Sequence, residues 1–176
     1  MRRIWAGLLS LLAVLTLSAT NAPTASAVSY TLQNVTPSWG RLCATPQGNS
    51  TANGTIVTTW SCTGSNLQQW YWAGPESQFL IHQASGKCLT PQGNASEVNG
   101  TVLTLWTCDF SYGSPQRFIE AASSGEPGQG IRIYTKWGGK CITNYGGSFG
   151  NGVYLTLWSC APDYPKEQYW FTGWWS

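Results

Sequence analysis

Six cysteines fall into three pairs with almost identical spacing. Cys43 and Cys62, Cys88 and Cys108, and Cys141 and Cys160 stand 19, 20 and 19 positions apart. Each pair sits in the same frame. The first member opens Cys43-Ala44-Thr45, Cys88-Leu89-Thr90 or Cys141-Ile142-Thr143. The second closes Trp60-Ser61-Cys62, Trp106-Thr107-Cys108 or Trp158-Ser159-Cys160, and Gln68-Gln69-Trp70, Gln116-Arg117-Phe118 or Gln168-Tyr169-Trp170 follows. Self-similarity at this level is the signature of a fold built from repeated supersecondary units. The first cysteine advances by 45 and then by 53 positions, the extra length lying mostly around Ser123 to Gly130. A chain of 176 residues has room for one ordinary domain, so that domain is expected to carry an internal threefold repeat.

The repeat extends between the anchors. Thr45-Pro46-Gln47-Gly48-Asn49 recurs as Thr90-Pro91-Gln92-Gly93-Asn94, and Asn53-Gly54 recurs as Asn99-Gly100 and Asn151-Gly152. Asn-Gly is a strong turn signal because both residues accept positive φ. Between turns the pattern is β-branched and aromatic, as in residues 56–60, 102–106 and 153–158. Openers at 30–33, 79–82 and 131–134 read as strands too. Each unit therefore offers about four short strands, roughly twelve in all, which predicts an all-β barrel or closed sandwich.

Repeat symmetry selects one disulfide connectivity among fifteen: Cys43–Cys62, Cys88–Cys108 and Cys141–Cys160. Each closes a loop of about twenty residues, worth about 3 kcal/mol in the chain-entropy model. Zinc is the weaker reading, since there is no Cys-x-x-Cys and only one histidine. Disulfides demand an oxidising compartment. The N-terminus agrees: Arg2 and Arg3 precede an apolar run from Ile4 to Leu17, and Ala25-Ser26-Ala27 offers a small-x-small cleavage site. Residues 1–27 are thus expected to be a secretory leader, the run being too short to span a membrane. The remainder, residues 28–176, is expected to be one secreted domain with repeats at about 28–75, 76–127 and 128–176. Two of the nine basic residues, and none of the seven acidic ones, lie in that leader, so its net charge is near zero. Such a chain does not draw phosphates, which argues against nucleic acid as a partner. No second apolar stretch suggests a membrane. No metal, cofactor or further subunit is called for, and a monomer is expected.

Three units of Cys pair, Trp-x-Cys and Gln-x-aromatic resemble the ricin B-type lectin family over about residues 28 to 173. The resemblance implies a β-trefoil: three four-stranded units around a pseudo-threefold axis, with Trp70, Phe118 and Trp170 filling a shared core and Gln68, Gln116 and Gln168 as structural partners. It also implies sugar binding, often of galactose type. A pyranose stacks its apolar face on an aromatic ring and offers its hydroxyls to convergent polar groups. The family's aromatic is present as Trp60, Trp106 and Trp158. Its Asp is replaced by Thr45, Thr90 and Thr143, and its Asn by Leu67, Pro115 and Glu167. Candidate substitutes for the missing polar half are Asn66, Glu167, Asp109 and Asp163, with Tyr145 near the third set. The third unit, with Thr143, Tyr145, Trp158 and Glu167, carries the fullest set. A galactose- or xylose-type ligand is the first expectation. Trp39 and Trp137 occupy equivalent turns and are outside candidates for a ligand-contacting surface; Trp174 and Trp175 lie at the terminus.

An enzyme is the first rival. It needs a base near a nucleophile or two carboxylates flanking a bond, and neither His82 nor the scattered acids supply one, so no catalytic residue is assigned. The second rival is a protein-binding trefoil of the protease-inhibitor kind, favoured by the loss of the family Asp. Five Asn-x-Ser/Thr sequons, at Asn34, Asn49, Asn53, Asn94 and Asn99, are glycan acceptors in a host that glycosylates.

Overall fold

The computed structural model describes residues 28–35, 41–122, 130–162 and 166–173. The leader, Trp39, the loop after Ala122, Asp163, Trp174 and Trp175 lie outside them. Twelve strands run in chain order. The first repeat holds β1 (Tyr30–Val35), β2 (Arg41–Pro46), β3 (Val57–Ser61) and β4 (Gln69–Ala73). The second holds β5 (Phe79–His82), β6 (Cys88–Pro91), β7 (Leu103–Trp106) and β8 (Phe118–Ala122). The third holds β9 (Ile131–Thr135), β10 (Lys140–Asn144), β11 (Val153–Ser159) and β12 (Phe171–Gly173). The only helical turns among the described residues are three-residue 3-10 segments. This is the all-β trefoil that the resemblance implies.

Backbone pairing divides the strands into two sets. The outer members of each repeat join in a ring: β1 with β4, β4 with β5, β8 with β9 and β12 with β1 form ladders. Single bridges, Phe79 to Arg117 and Ile131 to Trp170, supply the remaining two junctions. The inner members form three hairpins, β2–β3, β6–β7 and β10–β11. In each hairpin the first cysteine lies directly opposite the tryptophan: Cys43 faces Trp60, Cys88 faces Trp106 and Cys141 faces Trp158. The second cysteine is two residues on, so the disulfide ties the hairpin to the loop that leaves it. Cys43–Cys62, Cys88–Cys108 and Cys141–Cys160 are all formed.

The core repeats with the sequence. Leu32, Leu80 and Ile133 come from equivalent strands, as do Ala44, Leu89 and Ile142, and Val57, Leu103 and Leu155; all are buried. Trp70, Phe118 and Trp170 complete it. Where the second and third repeats place Leu105 and Leu157, the first has Thr59, equally buried. Its hydroxyl donates to the Gly150 carbonyl at 2.7 Å, so the polar atom is satisfied rather than stranded. Trp70 and Trp170 likewise donate their indole N–H to the carbonyls of Ala44 and Ile142, at 3.0 and 3.1 Å. Phe118 needs no such partner.

Candidate functional site

Each repeat forms one cleft beside its hairpin. The first is lined by Thr45, Gln47, Asn49, Trp60, Ser65 and Leu67, among others. The second is lined by Thr90, Gln92, Asn94, Thr104 and Trp106. The third is lined by Thr143, Tyr145, Trp158, Pro162, Glu167 and Gln168. Their volumes are about 450, 280 and 780 Å3. The third is the roomiest, and at least the first and third reach the range common for small-molecule sites.

The glutamines build the frame. Gln68, Gln116 and Gln168 are buried, and each Oε1 accepts a backbone N–H of the loop beyond the disulfide, from Thr63, Asp109 and Ala161 at 2.7, 2.7 and 2.9 Å. Each Nε2 donates to the carbonyl just before the second cysteine, of Ser61, Thr107 and Ser159, at 3.0 Å in every case. An amide can hold both sides of a loop because it donates and accepts from one plane. In the first two repeats Nε2 also donates to Thr45 Oγ (3.0 Å) and Thr90 Oγ (2.9 Å). Those hydroxyls donate in turn to the carbonyls of Cys43 and Cys88. Their single proton is therefore used inside the protein. Among the described residues the Thr143 hydroxyl makes no such bond, so the third threonine alone keeps both its proton and its lone pairs for the cleft.

The three tryptophans are neither buried nor fully free: Trp60, Trp106 and Trp158 are 47%, 49% and 50% exposed. Each ring rests against the Asn-Gly turn of another repeat. A Cβ built on Gly54 would meet Trp106 at 3.6 Å, one on Gly100 would meet Trp158 at 3.7 Å, and one on Gly152 would meet Trp60 at 3.8 Å. Backbone bonds fix each seat: the N–H of Gly54, Gly100 and Gly152 donates to the carbonyl of Leu105, Leu157 and Thr59, at 2.7 to 2.8 Å. The asparagines reach across as well. Asn53 donates to Thr107 Oγ, Asn99 accepts from Ser159 Oγ, and Asn151 accepts from Ser61 N and Oγ. The first and second clefts thus take a wall residue from another repeat, Gly152 and Gly54, whereas the third is lined by its own repeat alone.

Of the other candidates, Tyr145 and Glu167 line the third cleft with Trp158. Asn66 is exposed but does not line the first cleft; Ser65 and Leu67 on either side of it do. Asp109 turns its carboxylate back on its own loop, accepting from Ser111 N and Oγ at 3.0 Å. Pro115 is not in the second cleft's lining. Trp137 is exposed and stands away from all three clefts. The Gln-Gly-Asn rim was visible in the sequence as a repeated turn but not as a cleft wall. Asn49 and Asn94 hold φ of 57° and 61° there, and neither side chain bonds to another described residue. The third repeat has Gly147 at that place, φ 67°. His82 is buried, with its ring nitrogens 2.9 Å from Ser85 Oγ and the Leu67 carbonyl. Burial holds its imidazole below the usual histidine range. Asn34 is buried as well, its amide donating to the Lys166 and Tyr169 carbonyls, so this sequon is closed in the folded chain. Among the described residues there is no group of three or more His, Cys, Asp or Glu placed to hold a metal.

Comparison with known proteins places this geometry. The profile of the ricin-type β-trefoil lectin domain matches residues 24–118 and again 77–173. Among solved structures, the chain is similar to ThreeFoil, a designed 3-fold symmetric protein, at 21% identity and a TM-score of 0.69, with 82% of this chain and 96% of that one covered. It is similar to a ricin B-like lectin of Macrolepiota procera, solved in complex with lactose, at 17% identity and a TM-score of 0.65, covering 86% and 98%. It is also similar to an exo-beta-1,3-galactanase from Clostridium thermocellum, at 22% identity and a TM-score of 0.67, covering 85% of this chain but 30% of that one. No curated protein matches the sequence.

Proposed function

This chain belongs to the ricin-type β-trefoil lectin domain family, and from that premise we propose that it is a secreted, non-catalytic carbohydrate binder whose principal site is the third cleft. The observation that carries the reading is the composition of that cleft. Trp158 presents half its surface, Thr143, Tyr145 and Glu167 line the same space, and among the described residues the Thr143 hydroxyl makes no hydrogen bond. An aromatic face, a carboxylate and a hydroxyl are what a pyranose needs: one stacks on its C–H face, the others take its hydroxyls. Glu167 stands where the family pattern has Asn, so a charged acceptor replaces part of what the Asp-to-Thr change removed.

The first and second clefts offer a weaker version. Their threonine protons are committed to Cys43 and Cys88, which leaves Trp60 or Trp106 with the amide rim of Gln47 and Asn49, or of Gln92 and Asn94. Three sites of unequal strength on one rigid body suit a polymer, since weak sites add through effective concentration. Secretion rests on the leader-like N-terminus together with three disulfides. The lactose-bound relative makes a galactose-type ligand the first to try, with xylose-type polymers beside it.

The test is a glycan and polysaccharide array probed with the oxidised protein. Binding that Trp158→Ala reduces at least tenfold, and Trp60→Ala or Trp106→Ala reduces less, is the expected result. A folded protein that binds no glycan, and is instead retained by immobilised proteases, would overturn it in favour of the protein-binding trefoil.

A further inference from the structure

A second constellation of aromatic and charged groups lies outside the clefts, where the second and third repeats meet. The rings of Tyr112, from the loop after β7, and Trp137, from the β9–β10 turn, are 5.2 Å apart and tilted by 60°. They are 70% and 39% exposed. Both have cations over their rings. Lys136 Nζ lies 5.3 Å from the Trp137 centroid and 5.8 Å from that of Tyr112, while the Arg117 guanidinium, itself buried, lies 5.4 Å from Tyr112. The two cations converge on one carboxylate oxygen: Glu76 Oε2 accepts from Arg117 at 2.8 Å and from Lys136 at 2.9 Å. Gln78 Oε1 accepts from the same pair, at 2.9 and 3.0 Å.

The backbone that delivers Glu76 is strained. Glu76 and Ser77 hold φ of 57° and 50°, in the left-handed region where such residues are uncommon. Just before them Gly74 is pressed against the core, where a Cβ would come within 2.6 Å of Phe79 and 2.9 Å of Phe110. Strain at an exposed carboxylate, held by surrounding contacts, is a pattern typical of ligand clamps. Glu76 neutralises the buried Arg117 through Oε2, yet its side chain is more than half exposed.

We propose that Trp137, Tyr112, Glu76 and Lys136 form a fourth glycan-contacting site that takes one neutral pyranose. The ring stacks on the Trp137–Tyr112 surface. Two adjacent hydroxyls bridge Glu76 Oε1 and Lys136, one donating to the carboxylate oxygen that the cations leave, the other accepting the ammonium proton that Glu76 and Gln78 do not use. Both bonds are charge-assisted, which the first and second clefts, with threonine at the family's Asp position, do not offer. A shallow groove of about 290 Å3 continues from Glu76 and Gln78 past Trp72 and Ile119 to Glu120, giving room for a neighbouring sugar. Arg117 and Lys136 balance Glu76 and Glu120, so the site carries no net charge, which suits a neutral glycan. The site shares no residue with the clefts and draws on the carbohydrate-binding reading only for the class of its ligand.

The experiment follows the tryptophan indole N–H resonances of the folded, oxidised protein, assigned by single substitutions, during titration with methyl β-galactopyranoside and methyl β-xylopyranoside. The Trp137 resonance is expected to shift and saturate, and to do so equally in the triple variant Trp60→Ala/Trp106→Ala/Trp158→Ala. Glu76→Gln and Tyr112→Ala are each expected to weaken that titration at least tenfold while the cleft resonances respond as before. A static Trp137 beside moving cleft resonances overturns the fourth site and leaves the cleft reading standing. A moving Trp137 beside static clefts supports it and removes the cleft reading; all resonances static overturns both. A Trp137 response to glucuronate alone, lost on adding salt, overturns the choice of a neutral ligand.

Discussion

Thr45 shows how much one side chain decides. Its hydroxyl donates to the Cys43 carbonyl and accepts from Gln68, so it completes the frame of the cleft but has no proton to offer a ligand. An aspartate there could still accept from Gln68 with one oxygen and turn the other to the cleft. A charge-assisted bond contributes about 1.5–3 kcal/mol against about 1 for a neutral one. Thr45→Asp is therefore expected to tighten galactoside binding at the first cleft by about tenfold. Calorimetric titration checks it, and an unchanged affinity would count against that cleft as a sugar site. His82 is the residue that ties the fold to pH. Burial depresses its folded-state pKa, so between that value and the unfolded one, about 6.5, the unfolded chain binds more protons. Stability then rises with pH through this window and is lost as pH falls below about 6.5. Urea denaturation between pH 7 and pH 5 is expected to show a falling unfolding free energy, and His82→Gln a flatter dependence with lower stability at neutral pH.

At the scale of the element, the hairpin is the working unit, and its Asn-Gly turn serves the next repeat rather than its own. Gly100 holds φ at 83°, where any other residue strains the backbone. Gly100→Ala is expected to cost about 1–2 kcal/mol for that reason. A Cβ there would touch Trp158 only at ordinary contact distance, so the fold survives and the strain is read out at the neighbouring cleft. Loss of stability in thermal denaturation, with a change in Trp158 fluorescence that the same substitution in a Trp158→Phe background abolishes, checks this. The strands themselves were legible in the sequence because period two and the threefold echo reinforced each other; residues 79–82 matched to the residue. The disulfides were legible because symmetry removed the competing connectivities. The seating of Trp106 on Gly54 was not, since it joins residues of different repeats and no local pattern records who faces whom. Nor was the surroundings of Arg117, which the sequence offered only as the variable middle of Gln116-Arg117-Phe118. Its partner Glu76, and Lys136 which shares that carboxylate, lie 41 and 19 positions away, on either side. Asn34 carried a sequon, yet its amide is held by the carbonyls of Lys166 and Tyr169, more than a hundred residues distant.

For the whole molecule, stability is shared among three similar parcels around one core. Each disulfide closes 19 or 20 residues, so removing any one is expected to cost about 3 kcal/mol. The three need not be equal in function. Cys160 lines the third cleft, so replacing Cys141 and Cys160 together by alanine is expected to reduce glycan binding, whereas the Cys88–Cys108 pair is expected to affect stability alone. Denaturant titration of the two double variants, each followed by the array measurement, separates the cases.

The seats of the tryptophans go round in one direction: first repeat on third, second on first, third on second. This is a head-to-tail contact that closes after three steps, the same geometry by which identical subunits form a ring instead of a filament. A two-repeat fragment would end with one tryptophan lacking a support and one turn lacking a guest, and a fourth repeat would find no gap to enter. A single repeat, freed of its neighbours, carries both halves of the joint and so has the means to rebuild the circle as a trimer. The number three is thus written into the contact between a turn and a ring.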